Sequence, residues 1–346
     1  MKTIIVDMMG GDRAPAETVK GVLLAQKELA ANYILVGDRD LLEKEFTACG
    51  ASIDDFTVVH TPVVMTMHDE PMSIRREKSE SSMAVGLRML AEGKGDAFVS
   101  TGNTGALFAG ASLIVRKVRG LRRPAIAALL PMNPPVLLLD SGANLVVSAD
   151  DLEQFAVMGT AYMKALYGLE EPRVGLLNNG AESHKGTEMH VEAYRRLSAN
   201  KSIRFVGNVE GNRVMFDSCD VLVTDGFTGN ILLKTAEGMG KMMLGTLKKI
   251  FLANMKTKLG ALMVKPNLAA MKKQFDTREH GGAPILGISK PVIKAHGSSD
   301  AKAFKNAIRQ ALATADTGLC DQIAHAMAEM SAKKSEVSEE AASESR

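Results

Sequence analysis

Short runs of β-branched and leucine-rich residues recur along the chain, and each run ends at a glycine or a polar residue. Runs of this length and composition predict buried strands, and the longer amphipathic segments between several of them predict helices. The predicted strands are Thr3 to Val6, Tyr33 to Val36, Ala97 to Ser100, Val136 to Leu139, Val174 to Leu177 and Val221 to Thr224. The predicted helices are Ala16 to Ala31, Ala84 to Ala91, Leu152 to Leu166 and Glu188 to Leu197. This alternation predicts a mainly parallel sheet with helices on both faces.

The hydrophobic pattern also sets the expected extent of the folded unit. Residues 1 to 330 carry the strand and helix signals and are expected to form one α/β domain. From Ser331 the sequence has no large apolar residue except Val337, so residues 331 to 346 are expected to be a disordered tail.

Composition and charge narrow the class of protein. The 346 residues are 46% hydrophobic and 24% charged, which is ordinary for a globular chain. A formal net charge of +2 gives no sign of a nucleic-acid-binding protein. Three widely spaced cysteines, a first segment unlike a secretory signal and the lack of a long apolar run favour a cytoplasmic or peripherally membrane-associated protein.

Glycine, Asn, Asp and Ser collect directly after the predicted strands. In open α/β sheets the ligand binds at the carboxyl ends of the strands. Glycine lets backbone N–H groups approach an anion, so a shared anion site is expected there. The segments are Gly10 to Asp12, Gly102 to Gly105, Ser141 to Asn144, Asn178 to Gly180, Asp225 to Asn230 and His296 to Ser299.

Familiar nucleotide, metal and serine-nucleophile motifs are missing from the sequence. The segment Gly238 to Lys241 lacks the third glycine of a dinucleotide-binding loop, and Lys185 precedes rather than follows a glycine as a Walker loop would require. His184 and His190 do not have the spacing of a zinc-binding helix. We therefore expect no cofactor and no tightly bound metal, and we interpret Cys219 as a small buried hydrophobe rather than an acyl carrier.

Six ordered motifs together carry a resemblance to a known family. They are DMMGGD from Asp7, VSTGNTGAL from Val99, LLNNGAESHKG from Leu176, VTDGFTGN from Val223, HGGAPILG from His280 and KAHGSSD from Lys294. The chain resembles the bacterial acyl carrier protein:phosphate acyltransferases from Lys2 to about Met330. It departs from their pattern at Met8, where they usually have alanine, and at His280, where they usually have tyrosine.

The resemblance implies a fold, a reaction and a set of partners. It implies a homodimeric three-layer α/β/α enzyme, similar in fold to the isocitrate and isopropylmalate dehydrogenases and to phosphotransacetylases. Such an enzyme converts acyl-[acyl carrier protein] and inorganic phosphate to acyl phosphate and free carrier protein for phospholipid synthesis. A downstream glycerol-phosphate acyltransferase is then the expected consumer of the product.

Direct attack of phosphate on a thioester requires a bound dianion and stabilisation of the oxyanion on the carbonyl. Lys185 either supplies fixed positive charge to the phosphate or the oxyanion or is a solvated lysine at a helix start; the first role is favoured, because helix N-termini disfavour lysine. Asn230 either donates its amide to the carbonyl oxygen or caps a helix. Asp225 either orients Lys185 or a phosphate proton, or forms an ordinary Asp-Gly turn.

The other candidates are expected to contact the substrate or its phosphate. Asp7 and Asp12 are not among them, since their charge repels phosphate and favours either a structural role or the orientation of a cation beside the phosphate. The candidates are Gly10, Gly11, Ser100, Gly102, Asn103, Thr104, Gly105, Asn144, Asn179, Gly180, Gly229, His296, Ser298 and Ser299.

The segment from Lys241 to Phe275 carries lysines and large apolar residues but no acidic residue. It predicts a helical excursion of two helices joined near Leu259 to Lys265, because Pro266 interrupts a continuous helix. One interpretation buries this excursion against a dimer partner. The other places it on an anionic membrane or on the acidic carrier protein. The contact residues are then Lys256, Lys258, Leu259, Leu262, Met263, Val264 and Lys265.

Three other functions stay open on the sequence. A phosphotransacetylase would use acetyl coenzyme A as the acyl donor. An isocitrate-type dehydrogenase would require a nicotinamide pocket and usually a metal bound by aspartates. A non-catalytic membrane scaffold would use the basic segment only to recruit partners.

Overall fold

The computed structural model describes residues 1–132, 134–274, 277–279 and 281–344 of the chain, with the backbone alone at 269, 270, 272–274, 277 and 333–344. The described residues form an eleven-stranded sheet flanked by helices. The strands are β1 Thr3–Asp7, β2 Asn32–Gly37, β3 Thr57–His60, β4 Ala97–Ser100, β5 Ala125–Leu130, β6 Val136–Leu139, β7 Arg173–Asn178, β8 Arg204–Glu210, β9 Val221–Val223, β10 Ala283–Leu286 and β11 Val292–Lys294.

The helices follow most strands and cover both faces of the sheet. They are α1 Ala16–Glu28, α2 Arg39–Ala48, α3 Ser82–Ala91, α4 Thr104–Gly110, α5 Ala149–Tyr167, α6 Glu188–Ala199, α7 Gly226–Leu252, α8 Met255–Met263, α9 Lys265–Gln274, α10 Ala301–Asp316 and α11 Leu319–Glu344. The predicted α/β class with a mainly parallel sheet is confirmed.

The sheet consists of two parallel halves joined by an antiparallel centre, in the order β3-β2-β1-β4-β11-β10-β5-β6-β9-β7-β8. In one half of the sheet, β3, β2, β1, β4 and β11 are mutually parallel. In the other half, β6, β9, β7 and β8 are mutually parallel. Between them β10 pairs antiparallel with both β11 and β5, and β5 pairs antiparallel with β6. We call the carboxyl ends of β1, β4 and β11 the first edge, and those of β6, β9 and β7 the second edge.

Alternation along β1 shows how the layers form. Ile4 and Val6 point to a core shared with Phe304 of α10, whereas Ile5 between them belongs to the core that contains Leu87 of α3. Successive side chains of a strand point to opposite faces, so an uninterrupted apolar strand requires a helix layer on each side. The three-layer arrangement thus follows from the run IIV itself.

The helical excursion differs from the prediction in part. Leu259 to Met263 of the predicted join lie inside α8, which extends from Met255 to Met263. The break at Val264 falls within the predicted join, whereas the break at Asn254 was not predicted. Asn254 caps α8, its side-chain oxygen accepting from Thr257 N at 3.0 Å. Pro266 lies in the first turn of α9, where its missing N–H costs no intrahelical bond. We call residues 241–274 the arm; Phe275, the end of the predicted segment, lies outside the described residues.

The arm packs little against the rest of the described chain. In α7 the buried residues are Gly226 and Gly229, both in its first turn, and α8 has none. At the other end of the chain, the backbone of α11 is helical to Glu344, through most of the segment in which the sequence predicts disorder. Residues 345 and 346 of that segment lie outside the described residues, and the tail stays a prediction.

Candidate active site

The first edge is organised around the buried carboxylate of Asp7. Asp7 ends β1 and accepts hydrogen bonds from Ser82 Oγ at 2.7 Å and Ser100 Oγ at 2.6 Å. Burial raises the pKa of Asp7, and the hydroxyl donors offset part of the rise. Asp7 is therefore fixed in the interior, in keeping with the structural role that the sequence suggests for it.

Glycines bring the loops after β1 and β4 into contact. A Cβ atom on Gly10 would lie 2.7 Å from the backbone nitrogen of Gly102, and Gly11 has a φ of +92°, which only glycine adopts without strain. Thr101 Oγ1 donates to the carbonyl of Gly10. These glycines hold the two loops together, whether or not they also contact a ligand.

Asn103 and Ser100, both predicted to contact substrate, are engaged within the protein. The amide of Asn103 donates to the carbonyls of Thr66, Met67 and Asp69, and its oxygen caps α4 at Ala106 N. Ser100 Oγ accepts from Gly102 N at 3.0 Å while it donates to Asp7. At the start of α4, Gly105 packs close to Pro71, and Thr104 faces open space in a cleft.

That cleft lies beside the first edge and has a volume of about 580 Å³. Its walls come from the loops after β1, β4 and β11, from β5, from the start of α10 and from one side of α7. The described lining residues include Arg13, Thr104, Ala128, Leu129, Leu233, Lys234, Glu237, Lys241, Arg278, Lys294, His296, Ser298, Ser299 and Asp300. The predicted residues Thr104, His296, Ser298 and Ser299 thus share one cavity.

The loop after β11 is tied to the loop after β1. Asp12 N donates to the carbonyl of Gly297 at 2.9 Å. His296 Nδ1 lies 2.9 Å from Ser298 Oγ and accepts from Ser298 N at 3.2 Å. Partial burial lowers the pKa of His296, and the nearby lysines 234 and 294 lower it further. His296 thus lines the cleft with a second ring nitrogen, Nε2, that makes no hydrogen bond to a described residue.

The second edge is organised around the buried carboxylate of Asp140, directly after β6. Asp140 accepts from four backbone N–H groups and from the amide of Asn144, at distances of 2.6 to 3.1 Å. Burial raises the pKa of Asp140, and these donors offset part of the rise. Asn144 also donates to the carbonyl of Pro124, so its amide is engaged within the protein.

The start of α7 packs directly on the Asp140 loop. Gly226 N donates to the carbonyl of Asn144 at 2.7 Å, and a Cβ on Gly229 would lie 2.0 Å from the carbonyl oxygen of Asp140. Asp225 caps the helix, its carboxylate accepting from Thr228 N and Thr228 Oγ1 at 2.8 and 2.7 Å. Asp225 is thus the cap of a helix rather than part of a simple Asp-Gly turn, and Gly229 is required for the close approach.

Asn230 has no capping role, because Asp225 supplies the cap. Its exposed side chain lies beside Gly142, whose φ is +146°, and makes no hydrogen bond to a described residue. An unengaged amide next to a helix N-terminus is suited to donate to a developing oxyanion.

Lys185 lies at the end of the same edge, on the loop after β7. Its aliphatic stem packs on Gly180, and its ammonium forms no ion pair with a described residue. Asn178 Nδ2 donates to the carbonyl of Lys185 at 3.1 Å and anchors the loop. Asn179 beside it is exposed. Burial lowers the pKa of His190, and the charge of Asp225 offsets part of this, so Asp225 lies near the first turns of α6, which follows the loop after β7.

The predicted residues therefore fall into two sets, and α7 connects them. Asn230 belongs to the second edge, whereas Lys234, Glu237 and Lys241 line the cleft at the first edge. Residues four apart lie on the same side of a helix, about 6 Å apart along the axis. One side of α7 thus carries Asn230 to within one turn of the cleft.

Sequence reasoning missed two central residues, Lys294 and Asp140. Lys294 is 8% exposed and lines the cleft. The signal was a lysine at the end of the apolar run VIKA, an unusual place for a charge. Asp140 directly follows the run VLLL, and nothing in the sequence distinguished it from an ordinary turn residue.

Comparisons with known proteins decide the family. The family model described as "Fatty acid synthesis protein" matches residues 2–322. The chain belongs to this family. Members named "Phosphate acyltransferase" include proteins from Clostridioides difficile, with 42% identity over 89% of the chain and 91% of the relative, and Acetivibrio thermocellus, with 44% over 92% and 95%. The relative from Thermotoga neapolitana is 46% identical over 89% and 91%.

Solved structures of low sequence identity share the fold of this fatty acid synthesis family member. A phosphotransacetylase from Streptococcus pyogenes superposes with a TM-score of 0.60 at 16% identity, covering 94% of each chain. A 4-hydroxythreonine-4-phosphate dehydrogenase from Klebsiella pneumoniae gives 0.56 at 13% identity over 91% and 100%. None of the described helices has the length and apolar content that a bilayer span requires.

Proposed function

We propose that this chain is a phosphate acyltransferase that joins inorganic phosphate to a fatty acyl group carried on acyl carrier protein, for phospholipid synthesis. The observation that carries the proposal is the name "Phosphate acyltransferase", shared by relatives at 42 to 46% identity over about nine-tenths of the chain. The cation-rich cleft at the first edge supports it, as do Asn230 and Lys185 at the second edge, whose side chains have no hydrogen-bond or ion-pair partner among the described residues.

In the proposed reaction an oxygen of the phosphate dianion attacks the thioester carbonyl. A C–O bond forms, the electron pair of the C=O bond moves to oxygen, and collapse of the intermediate breaks the C–S bond. The phosphate proton goes to the leaving thiolate, so acyl phosphate and free thiol result without an enzyme-bound acyl group. The enzyme supplies orientation and electrostatic stabilisation.

The second edge is suited to stabilise the oxyanion. Asn230 is proposed to donate its amide to the carbonyl oxygen, and Lys185 to place its charge near the same atom. Asp225 caps the first turn of α7. It is proposed to act by holding that turn, and with it Asn230, in position. Because Asn230 and Lys185 have no partner among the described residues, neither must break an interaction when substrate binds.

The experiment is incubation of the protein with phosphate and either long-chain acyl-[acyl carrier protein] or acetyl coenzyme A. We expect acyl phosphate and free carrier-protein thiol from the first donor, and at least 100-fold lower kcat/KM with the second. Preference for acetyl coenzyme A would indicate a phosphotransacetylase instead. Absence of thiol release with both donors would contradict an enzymatic role and leave the scaffold interpretation.

We also propose that the protein is a homodimer and that its arm contacts an anionic membrane, where the labile product reaches a glycerol-phosphate acyltransferase. The support is the composition and exposure of α8. Met255, Leu259 and Leu262 are spaced as one side of a helix and are 64 to 80% exposed, as is Met263. Lys256, Lys258 and Lys265 surround them, a mixture suited to anionic headgroups or to the acidic carrier protein.

Replacing Leu262 and Val264 with glutamate tests the arm. We expect weaker binding to vesicles that contain anionic phospholipid, with turnover in solution within about twofold of wild type, because α8 has no buried residue. Leu41→Glu on α2, also an exposed leucine, is the control and should keep vesicle binding. If the double variant dissociates from dimer to monomer or unfolds, the arm is a dimer interface and the membrane proposal is wrong.

A further inference from the structure

Lys294 is a buried cation whose partners are neutral. Its ammonium donates to the carbonyl of Ala295 and lies 3.5 Å from the carbonyl of Thr101. No carboxylate of a described residue lies within ion-pair distance of it. Burial lowers the pKa of Lys294 to about 8, and the charges of Asp12 and Asp7 offset only part of this. A buried charge without a counter-ion is costly, so the site has a strong preference for an added anion.

A second residue that lines the same cavity has an unsatisfied buried side chain. Ser299 is 9% exposed, and its hydroxyl has no hydrogen-bond partner among the described residues. The hydroxyl of Thr224 is also buried and unpartnered, but Thr224 is not among the residues that line the cleft. Buried hydroxyls are normally hydrogen-bonded, so Ser299 favours a ligand oxygen that would accept from its hydroxyl.

The charged residues that line the cleft favour the binding of an anion. Among the described lining residues, five are Lys or Arg and two are acidic. Both acidic residues are engaged: Glu237 pairs with Lys234 at 3.0 Å, and Asp300 pairs with Arg278 at 2.9 Å. The excess of positive charge is therefore not cancelled inside the cleft.

The start of α10 does not by itself provide the anion site. Ala301 N donates to Glu17, and Ala303 N donates to the capping carboxylate of Asp300. Since these N–H groups are engaged, the charge of Lys294 is the main attraction for an anion. Two of the three ammonium protons have carbonyl partners, and the third is available to a ligand.

We propose that Lys294 and Ser299 together bind the inorganic phosphate that attacks the acyl donor, an assignment that rests on the proposed function. A phosphate dianion between them pairs the buried ammonium and accepts from the orphan hydroxyl. The two edges then divide the reaction: the first binds the nucleophile, and the second stabilises the carbonyl through Asn230 and Lys185. The side of α7 that faces the cleft joins the two subsites.

Lys294→Met tests the assignment, because methionine keeps the length of the side chain and removes the charge. We expect phosphate affinity, measured by calorimetric titration with inorganic phosphate, to fall about 10- to 100-fold, and KM for phosphate to rise in parallel. KM for the acyl donor should change less than about threefold. The melting temperature should stay at or above that of wild type, since an unpaired buried charge is removed.

Ser299→Ala is a second test of the assignment, and Lys305→Met is its control. Loss of one neutral hydrogen bond should weaken phosphate binding about 3- to 10-fold in Ser299→Ala. Lys305 lies on α10, has a largely buried side chain and pairs with Glu28 outside the cleft, so its replacement should leave phosphate affinity unchanged.

The outcomes separate this assignment from the proposed function. Unchanged phosphate affinity in a folded Lys294→Met protein, or no saturable phosphate binding by wild type, overturns the assignment even if acyl phosphate is formed. If wild type binds phosphate and Lys294→Met does not, the assignment stands even when no acyl donor is turned over, and only the proposed function fails.

Discussion

The first and second edges hold their charged groups in different ways. At the first edge Asp7 and Lys294 are buried, and the partners of Lys294 among the described residues are carbonyl groups. At the second edge the buried Asp140 is fully hydrogen-bonded, whereas Lys185 is half-buried and Asn230 is exposed. A rigid, unsatisfied cation is suited to bind an ion whose charge is constant. Side chains free to adjust are suited to an oxygen whose charge develops during the reaction.

The largest effect is expected from the second edge. Lys185→Ala should lower kcat about 100- to 1,000-fold, the usual loss when one donor to an oxyanion is removed. KM for phosphate should change little if Lys294 holds the phosphate. The melting curve should be normal, because Lys185 forms no ion pair with a described residue.

Lys201→Ala is the matched control for Lys185→Ala. Lys201 is exposed on the loop before β8 and does not contribute to either edge, so its replacement should leave kcat unchanged. Near-normal turnover of a folded Lys185→Ala protein would remove Lys185 from the second edge and leave Asn230 as the donor to test next.

The next effect concerns the first edge and pH. Burial lowers the pKa of Lys294 to about 8, so in the free enzyme its charge is lost as pH rises through 8. KM for phosphate should therefore rise above pH 8, by up to about tenfold per pH unit. The other charged groups that face Lys294 or line its cleft are Asp7, Asp12, Arg13, Lys234, Glu237, Lys241, Arg278, His296 and Asp300.

Steady-state kinetics with Lys294→Arg checks the pH effect, because arginine stays charged and should flatten the profile. Rising pH has the opposite effect on the stability of the folded protein from its effect on phosphate binding. Between pH 8 and the ordinary lysine pKa of 10.5 the unfolded chain binds the extra proton, so Lys294 makes the unliganded protein more stable as pH rises through this window. A KM for phosphate that stays constant from pH 7 to 9.5 would contradict a role for the Lys294 charge.

The first and second edges also differ in how far the sequence predicts them. The second edge follows from strand ends and motifs: Lys185, Asp225 and Asn230 each come after a predicted strand, and β6, β9 and β7 are neighbours. The first edge was predicted only in part, because the sequence places Ser299 after a strand but gives no bounds for that strand, β11, and no role for Lys294, which it carries. β11 has three residues, and β10 beside it contains a proline, so neither gives a usable alternation.

Long-range packing accounts for the remaining differences. Asn103 and Asn144 have the composition of ligand residues, yet their amides are engaged by carbonyls 20 to 37 positions away in sequence. Such partners are not visible in a local pattern. The start of α7 at Gly226 also depends on a distant contact, the carbonyl of Asp140, which leaves room only for glycine at position 229.

A third, smaller effect tests whether the Asp140 loop is a rigid support. In Asp140→Asn the new NH2 group meets N–H donors instead of an acceptor, and at least one buried donor is left unpaired. We expect the free energy of unfolding in urea to fall by about 1–3 kcal/mol. kcat should fall with it, because the loop positions Gly229 and Asn230.

Asp38→Asn is the control, since Asp38 accepts two N–H bonds at the exposed start of α2 and Asn is an equally good cap. It should change stability by less than about 0.5 kcal/mol. If Asp140→Asn is as stable and active as Asp38→Asn, the second edge does not depend on the buried carboxylate.

The smallest effect is expected from the cysteines, because the proposed chemistry at the two edges uses no enzyme thiol. Thiolates are the reactive form, and burial raises the pKa of Cys219 to about 11 and of Cys320 to about 12. Cys49 lies at the end of α2, away from both edges. Replacing all three with alanine should keep kcat/KM for phosphate within about threefold, with a slightly lower melting temperature from the cavity at Cys219. Mass spectrometry of a quenched wild-type reaction provides the decisive check, because an acylated cysteine that passes its acyl group to phosphate would replace direct attack with a two-step mechanism.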